Sequence, residues 1–361
     1  MSSTIGNHLK MTIFGESHGE AIGVTLDGLP AGIQLDFSKI MIQMNRRAPG
    51  NHSSSTARKE ADIPKILSGV LNGVTTGAPL CAVIENTNTH SKDYENLTTV
   101  PRPSHSDYTA NIRYNGFNDI RGGGHFSGRL TAPLVFAGAI CRQILETKGI
   151  IVGGHVYSIG EIHDTPFDMC AQPLPLTELS AQYFAVQDEA IKEKMVAKIE
   201  EVKSNQDSIG GIIEVAAFGL PAGIGSPMFF GVEGVISSYI FGIPAVKGVE
   251  FGAGFDIATK LGSEANDKFI IENDTVKTST NNCGGILGGI TSGMPLIVRA
   301  AFKPTPSISK TQKSVNLNSM KETDLIIKGR HDPCIVPRAL PCVEAAVAIA
   351  LVELLMERGK L

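Results

Sequence analysis

Two histidines, four arginines and a run of glycines fall between residues 102 and 129, in a segment too polar to serve a hydrophobic core. It reads Arg102-Pro103-Ser104-His105-Ser106-Asp107-Tyr108 and, after a short connector, Arg121-Gly122-Gly123-Gly124-His125-Phe126-Ser127-Gly128-Arg129. Three consecutive glycines let the backbone run close to a ligand with its N–H groups turned inward, and arginines supply planar, permanently charged forks for an oxyanion. An apolar helical pattern follows at once, so the turn also lies near a helix N-terminus, where the macrodipole favours negative charge. The chemistry indicated is capture of a phosphate or a carboxylate.

Four other clusters carry similar residue types, each with a plainer reading beside it. Gly15-Glu16-Ser17-His18-Gly19 brackets a titratable imidazole with glycines; it is either an acid or base that reaches a ligand or an exposed turn. Ser17 and His18 are adjacent, so their side chains diverge and do not make a nucleophile–base pair. Arg46-Arg47 is either a solvated helix end or, beside the hydroxyl-rich 51–58 loop, an anion contact. Lys303-Pro304-Thr305-Pro306-Ser307 suits a phosphate tail or a ribityl chain, and equally a surface turn. Gly329-Arg330-His331-Asp332-Pro333-Cys334 sets cation, imidazole and carboxylate in one loop; lacking a second His or Cys cluster at ligand spacing, it indicates catalysis or anion binding and no metal.

The elements that must position these residues follow from periodicity. Strands are expected at Lys10–Phe14 and Ala21–Leu26, with His18 on their connection, and at 63–71, 80–84, 150–159, 211–218, 245–251 and 294–302. Asp36 is a candidate N-cap for a helix to about Asn45, ended by Ala48-Pro49-Gly50. Helices are expected at Leu130–Leu145, Gln187–Asn205 and Leu340–Arg358, the last with Pro341 in its first turn. Strands come in groups with helices apart from them, which indicates an α+β fold with mixed or antiparallel sheets rather than a doubly wound parallel one. The glycine-rich run 284–293 echoes the Gly122 loop and suggests two loops facing one cleft.

A chain of 361 residues can bury a large core, and no seam divides it, so one domain spanning 1–361 is expected. A net charge of −4 argues against nucleic acid or an anionic membrane as the main partner and leaves small anions. Six scattered cysteines without a CxxC pair fit reduced thiols in a cytoplasm. The N-terminus lacks a signal-peptide core, and the apolar stretch Ala345–Met356, interrupted by Glu353, is too short to cross a bilayer.

Taken together, these segments resemble the chorismate synthase family almost end to end. The phrase Thr12 to Gly19, the Arg102–Tyr108 block, the triple-glycine loop, Asn282 to Ile290, Lys303-Pro304-Thr305 and Gly329 to Cys334 carry the resemblance. It implies anti-1,4-elimination of phosphate from 5-enolpyruvylshikimate 3-phosphate to give chorismate, with reduced FMN required but not consumed, in aromatic amino-acid biosynthesis. It implies a β-α-β sandwich enclosing helices, in a homotetramer. By resemblance His18 protonates the departing phosphate, His105 protonates or holds the reduced flavin near N1, and Asp332 helps move the N5 proton. Arg47, Arg102 and Arg129 match positions that grip substrate anions or, for Arg47, a nicotinamide nucleotide (NADP). His125, Phe126 and Ser127, then Gly288, Lys303, Pro304, Thr305, Pro306 and Ser307, and Arg330 fall where the family binds FMN. The chain departs from its relatives at Ala48 and Ser53, where arginines are common, at 125–131, where many carry Arg-Ser-Ser-Ala-Arg-Glu-Thr, and at Pro244-Ala245, where Asn-Ala is common. No added reductase segment is visible, so an external flavin reductase is expected. The alternatives are a flavin oxidoreductase with net hydride transfer and a non-catalytic binder of phosphorylated metabolites.

Overall fold

Alternating and β-branched runs assemble into two five-stranded sheets in the computed structural model, which describes residues 3–50, 62–87, 97–168, 170, 175–327 and 332–361. The first sheet has the order Thr4–Ile5, Lys10–Gly15, Ala21–Asp27, Leu80–Glu85, Lys65–Ser68. The second has the order Val246–Phe251, Leu296–Phe302, Gly211–Phe218, Ile151–Ile159, Ile162–His163. Every neighbouring pair in both is antiparallel, so of the two expected sheet types the mixed one does not occur among the described strands. In Leu80–Glu85 the side chains of Leu80, Ala82 and Ile84 are buried in alternation, the period of a strand with one face on the core. Gly211–Phe218 is buried on both faces and sits at the centre of its sheet.

Helices fill the space between. Thr131–Glu146 packs on the first sheet and Val336–Glu357 on the second, and the two helices pack against each other. They approach so closely at Gly138 that a Cβ there would lie 2.2 Å from Ala345 Cβ, which is why an otherwise helix-weakening glycine stands in the middle of Thr131–Glu146. Both are apolar on nearly all sides because both are buried on nearly all sides. One continuous hydrophobic core runs from Leu9, Ile22 and Leu26 through Phe136 and Ile140 to Val215, Ile297 and Leu351.

The last helix begins four residues before the expected Leu340 start, with Pro337 in its first turn and Pro341 inside it. Pro341 has no N–H for the carbonyl of Pro337, and the helix tolerates this because burial, not propensity, sustains it. Its 22 residues are long and apolar enough to span a membrane, but 94% of the apolar window is buried within the protein. Glu353, which interrupts the apolar run, accepts the N–H groups of Asn7, His8 and Leu9 at 2.7–3.1 Å and ties the N-terminal strands to this helix. Glu344 is the second buried carboxylate: Arg46 Nη1 and Arg142 Nη1 donate to it at 2.5 and 3.0 Å. Removing one partner of such a buried group costs about 3–5 kcal/mol.

The helix Phe37–Arg47 follows expectation, with Asp36 Oδ1 accepting the N–H groups of Ser38 and Lys39 at its start. It extends through both arginines and separates them: Arg46 turns into the core towards Glu344, whereas Arg47 faces the cleft described next.

Candidate active site

Connections from several elements meet at one cleft of about 620 Å³, within the range of small-molecule sites. Its wall includes the end of helix Phe37–Arg47, the 102–106 turn, the 122–129 loop, the 241–247 connection, residues 303–307 after strand Leu296–Phe302, and the start of the last helix.

The triple glycine separates the two expected imidazoles. Gly122, Gly123 and Gly124 all have positive φ, and a Cβ on Gly122 would come within 2.7 Å of His18 Nε2. A Cβ on Gly123 would stand 3.5 Å from His105 Nε2, and one on Gly124 would lie 2.0 Å from the Asp119 carbonyl oxygen. Only glycine satisfies both the backbone and the space. His18 is buried beneath Gly122, and the loop is fastened there by Ser17 N–H donating to Gly124 O at 3.2 Å.

Asp107 organises the opposite side. Arg102 Nε and Nη2 each donate to it at 2.7 Å, and its Oδ1 lies 2.6 Å from His105 Nδ1. That contact keeps the proton on Nδ1 and leaves Nε2 facing Gly123 and the cleft. Burial would raise the Asp107 carboxyl, but the hydrogen bonds from Arg102 and His105 bring it far below the ordinary carboxylate range. Burial holds His105 below its ordinary value; Asp107 raises it, and the charges of Arg102 and Lys303 lower it again. Without an anion bound, His105 is therefore neutral at pH 7.

Two more guanidiniums stand nearby. Arg47 donates through Nε to Thr131 Oγ1 at 3.1 Å, through Nη2 to Gly128 O at 3.1 Å, and through Nη1 to Asp62 Oδ2 at 2.5 Å. Arg129 donates through Nε to Asn86 Oδ1 at 3.0 Å and through Nη1 to Asp62 Oδ1. Asp332 pairs with Arg338 Nη1, and Arg338 Nε donates to the Arg47 carbonyl at 3.1 Å, so the carboxylate is anchored to the end of the Arg47 helix.

The flavin-side residues divide. Phe126, Ser127, Lys303, Thr305, Pro306 and Ser307 line the cleft, with Ser307 Oγ accepting from Arg102 Nη1 at 3.3 Å. Lys303 reaches the Ser104 carbonyl; burial and the charge of Lys247 lower its pKa. Thr305 Oγ1 is buried with no hydrogen-bond partner among the described residues. His125 lines the cleft but both ring nitrogens bind protein groups, Nε2 to Ser3 Oγ and Nδ1 to the Gly15 carbonyl, each at 2.8 Å. Pro304 follows the strand but is not among the cleft-lining residues. Gly288 is not among them either: it lies at the exposed turn between Ile286–Leu287 and Ile290–Thr291, so the two glycine-rich loops do not share this cleft within the chain. Arg330, His331, Ser53 and the rest of 51–61 lie outside the described residues.

Asp62, Arg338, Lys247, Phe241 and Ile243 belong to the site or its support but were not expected from sequence. The expected start at Leu340 leaves Arg338 outside the helix, whereas Arg338 stands in the helix's first turn and reaches back to Asp332. Asp62 offers no periodic signal at all. Ser104, Ala245 and Asp62 hold positive φ values of 58°, 76° and 46°, a conformation disfavoured for non-glycine residues that the surrounding packing must enforce. Among the described residues no three His, Cys, Asp or Glu side chains gather as for a metal ion.

A family model described as chorismate synthase matches residues 9–356. The chain belongs to the chorismate synthase family. It is 46% identical to a chorismate synthase of Dehalococcoides mccartyi, over 99% of this chain and 98% of that one. It is 48% identical to a chorismate synthase of Pyrococcus abyssi, over 98% and 97%. A crystal structure of chorismate synthase superposes with a TM-score of 0.77 at 30% identity, covering 98% of this chain and 93% of the other. Chorismate synthases are lyases of the shikimate pathway, and the antiparallel sheets enclosing helices are the family's fold.

Proposed function

We propose that this chain eliminates phosphate from 5-enolpyruvylshikimate 3-phosphate to give chorismate, as a single catalytic domain that requires reduced FMN. The observation that carries this reading is His105 in the wall of a cleft edged by Arg47, Arg102, Arg129 and Arg338, with His18 buried behind Gly122 and not itself among the lining residues. In the reaction the C3–O bond to phosphate breaks, the C6–H bond breaks, and a new double bond completes the diene. That C6–H bond is not adjacent to a carbonyl, so a side-chain base alone gains little by attacking it.

The residues present fit a reduced flavin. Phe126, Phe241 and Ile243 offer apolar surface, Lys303 and Arg102 offer positive charge, and Thr305 Oγ1 is a buried hydroxyl awaiting a partner. When bound, reduced FMN supplies electron density as phosphate departs and recovers it with the hydrogen. The chain's own residues do the rest. Arg47, Arg129 and Arg338 bind the substrate's phosphate and carboxylates. His18 gives a proton to the leaving phosphate oxygen. His105, its Nδ1–H fixed on Asp107, presents Nε2 to the cleft and holds a proton there once an anion offsets Arg102 and Lys303. Asp332, held by Arg338, accepts and returns a proton at its carboxylate. We assign flavin reduction to a separate cytoplasmic reductase. A homotetramer accounts for the exposed Met228, Phe229 and Phe230.

The test is anaerobic mixing of protein, 5-enolpyruvylshikimate 3-phosphate and reduced FMN, followed by chorismate absorbance. Product with the flavin still reduced is expected. Stoichiometric flavin oxidation would indicate an oxidoreductase, and absence of product would end the proposal.

A further inference from the structure

Asp62 stands outside the cleft lining, yet its carboxylate bridges two of the guanidiniums that form it. Its side chain is 0% exposed, and those of Arg47 and Arg129 are 4% and 3% exposed. Each carboxylate oxygen takes one arginine: Oδ2 meets Arg47 Nη1 at 2.5 Å, and Oδ1 meets Arg129 Nη1. Arg47 comes from the end of a helix and Arg129 from the loop after the triple glycine, so nothing in the local sequence fixes their separation. Two like charges this close repel in a medium of lowered dielectric, and the intervening anion removes most of that repulsion. Burial would raise the Asp62 carboxyl, but the charges of Arg47 and Arg129 hold it below its ordinary value, so it remains an anion.

We propose that Asp62 is a positioning residue for the elimination: from behind the cleft wall it sets the spacing of Arg47 and Arg129 and offsets part of their combined charge. This rests on the function proposed above only in naming the ligand; the anion geometry stands without it. A carboxylate at this place makes the pair selective. Two guanidiniums at a fixed spacing fit an extended substrate whose phosphate and carboxylates are themselves fixed on a ring. A floppy, doubly charged pair attracts any small anion more strongly and fits none of them well.

The consequence separates positioning from mere structural support. Asp62→Asn keeps the shape and removes the charge. Substrate KM is expected to rise about tenfold or more with a smaller change in kcat, while inorganic phosphate, titrated calorimetrically, binds several-fold tighter. Asp62→Glu keeps the charge and alters the spacing, so KM rises and phosphate affinity stays within about twofold of the parent. A folded Asp62→Asn variant, judged by circular dichroism, that leaves KM unchanged or binds phosphate no more tightly overturns the proposal. Should Asp62→Asn not fold, Asp62→Glu decides: an unchanged KM sinks the idea. Because phosphate binding is read without turnover, failure of the parent protein to form chorismate would count against the assigned reaction and not against the role of Asp62.

Discussion

At His105 the chemistry turns on which ring nitrogen carries the proton. Asp107 fixes it on Nδ1, and burial, with the charge of Arg102 beside it, holds the ring's pKa below its ordinary value. His105→Ala and His18→Ala are each expected to lower turnover by roughly 10²–10⁴, the usual contribution of a positioned acid or base, while phosphate still binds the arginines. Steady-state kinetics together with calorimetric phosphate titration checks both halves; full turnover in either variant would remove that histidine from the mechanism. The loops that carry His105, Asp332 and the three arginines to the cleft, and His18 behind it, were marked in the sequence by glycines and prolines. Their partners were not. Asp62 is 15 and 67 residues from Arg47 and Arg129, and Arg338 is 291 residues from the Arg47 carbonyl it binds, so these partners are set by the fold. His125 shows the converse: its position suggests a ligand contact, but Ser3 and the Gly15 carbonyl occupy both nitrogens.

Among the elements, the outer face of the second sheet carries a buried charge network apart from the candidate cleft. His155, 0% exposed, donates from Nδ1 to Asp164 at 2.8 Å and from Nε2 to Glu214 at 2.9 Å, and Arg299 Nε donates to Glu214 at 2.8 Å. Burial would lower the imidazole's pKa, but the two carboxylates raise it above the ordinary value. A raised histidine stabilises the fold fully below about pH 6.5, and that contribution is lost as pH climbs through the folded value. The melting temperature is therefore expected to fall from pH 6.5 upward. In His155→Gln it should begin lower and lose that slope; an unchanged slope would place the pH dependence elsewhere. The strands that hold this network were legible from their alternating pattern, and Gly211–Phe218 coincides with expectation. The early start of the last helix was not legible, since it puts Pro341 inside the helix, where a proline normally breaks it and only burial overrides it.

The molecule as a whole presents large apolar side chains outside its cleft: Phe229 is 84% exposed, and Phe255 81%. Apolar surface of this kind marks association. The protein is expected to sediment as an oligomer, and Phe229→Asp to shift it to lower mass by light scattering after gel filtration; unchanged mass would exclude that face from assembly. The layered plan came from the family resemblance and not from the strand pattern; the α+β class was legible from the grouping of strands. The pairing of Thr131–Glu146 with Val336–Glu357 was not, because their contact is decided at Gly138 and Ala345, two small residues that no pattern singles out.

Those two helices also impose an order on biosynthesis. The central member of the pair, Val336–Glu357, is made after every other described element, yet it covers the inner face of one sheet, supports the neighbouring helix, and secures Asn7–Leu9 through Glu353. At ribosomal speeds the earlier strands wait on the order of tens of seconds with greasy surface uncovered. Nascent chains stalled before residue 336 should accordingly be clients of holdase chaperones, and release of the final segment should be the event that lets the polypeptide escape them.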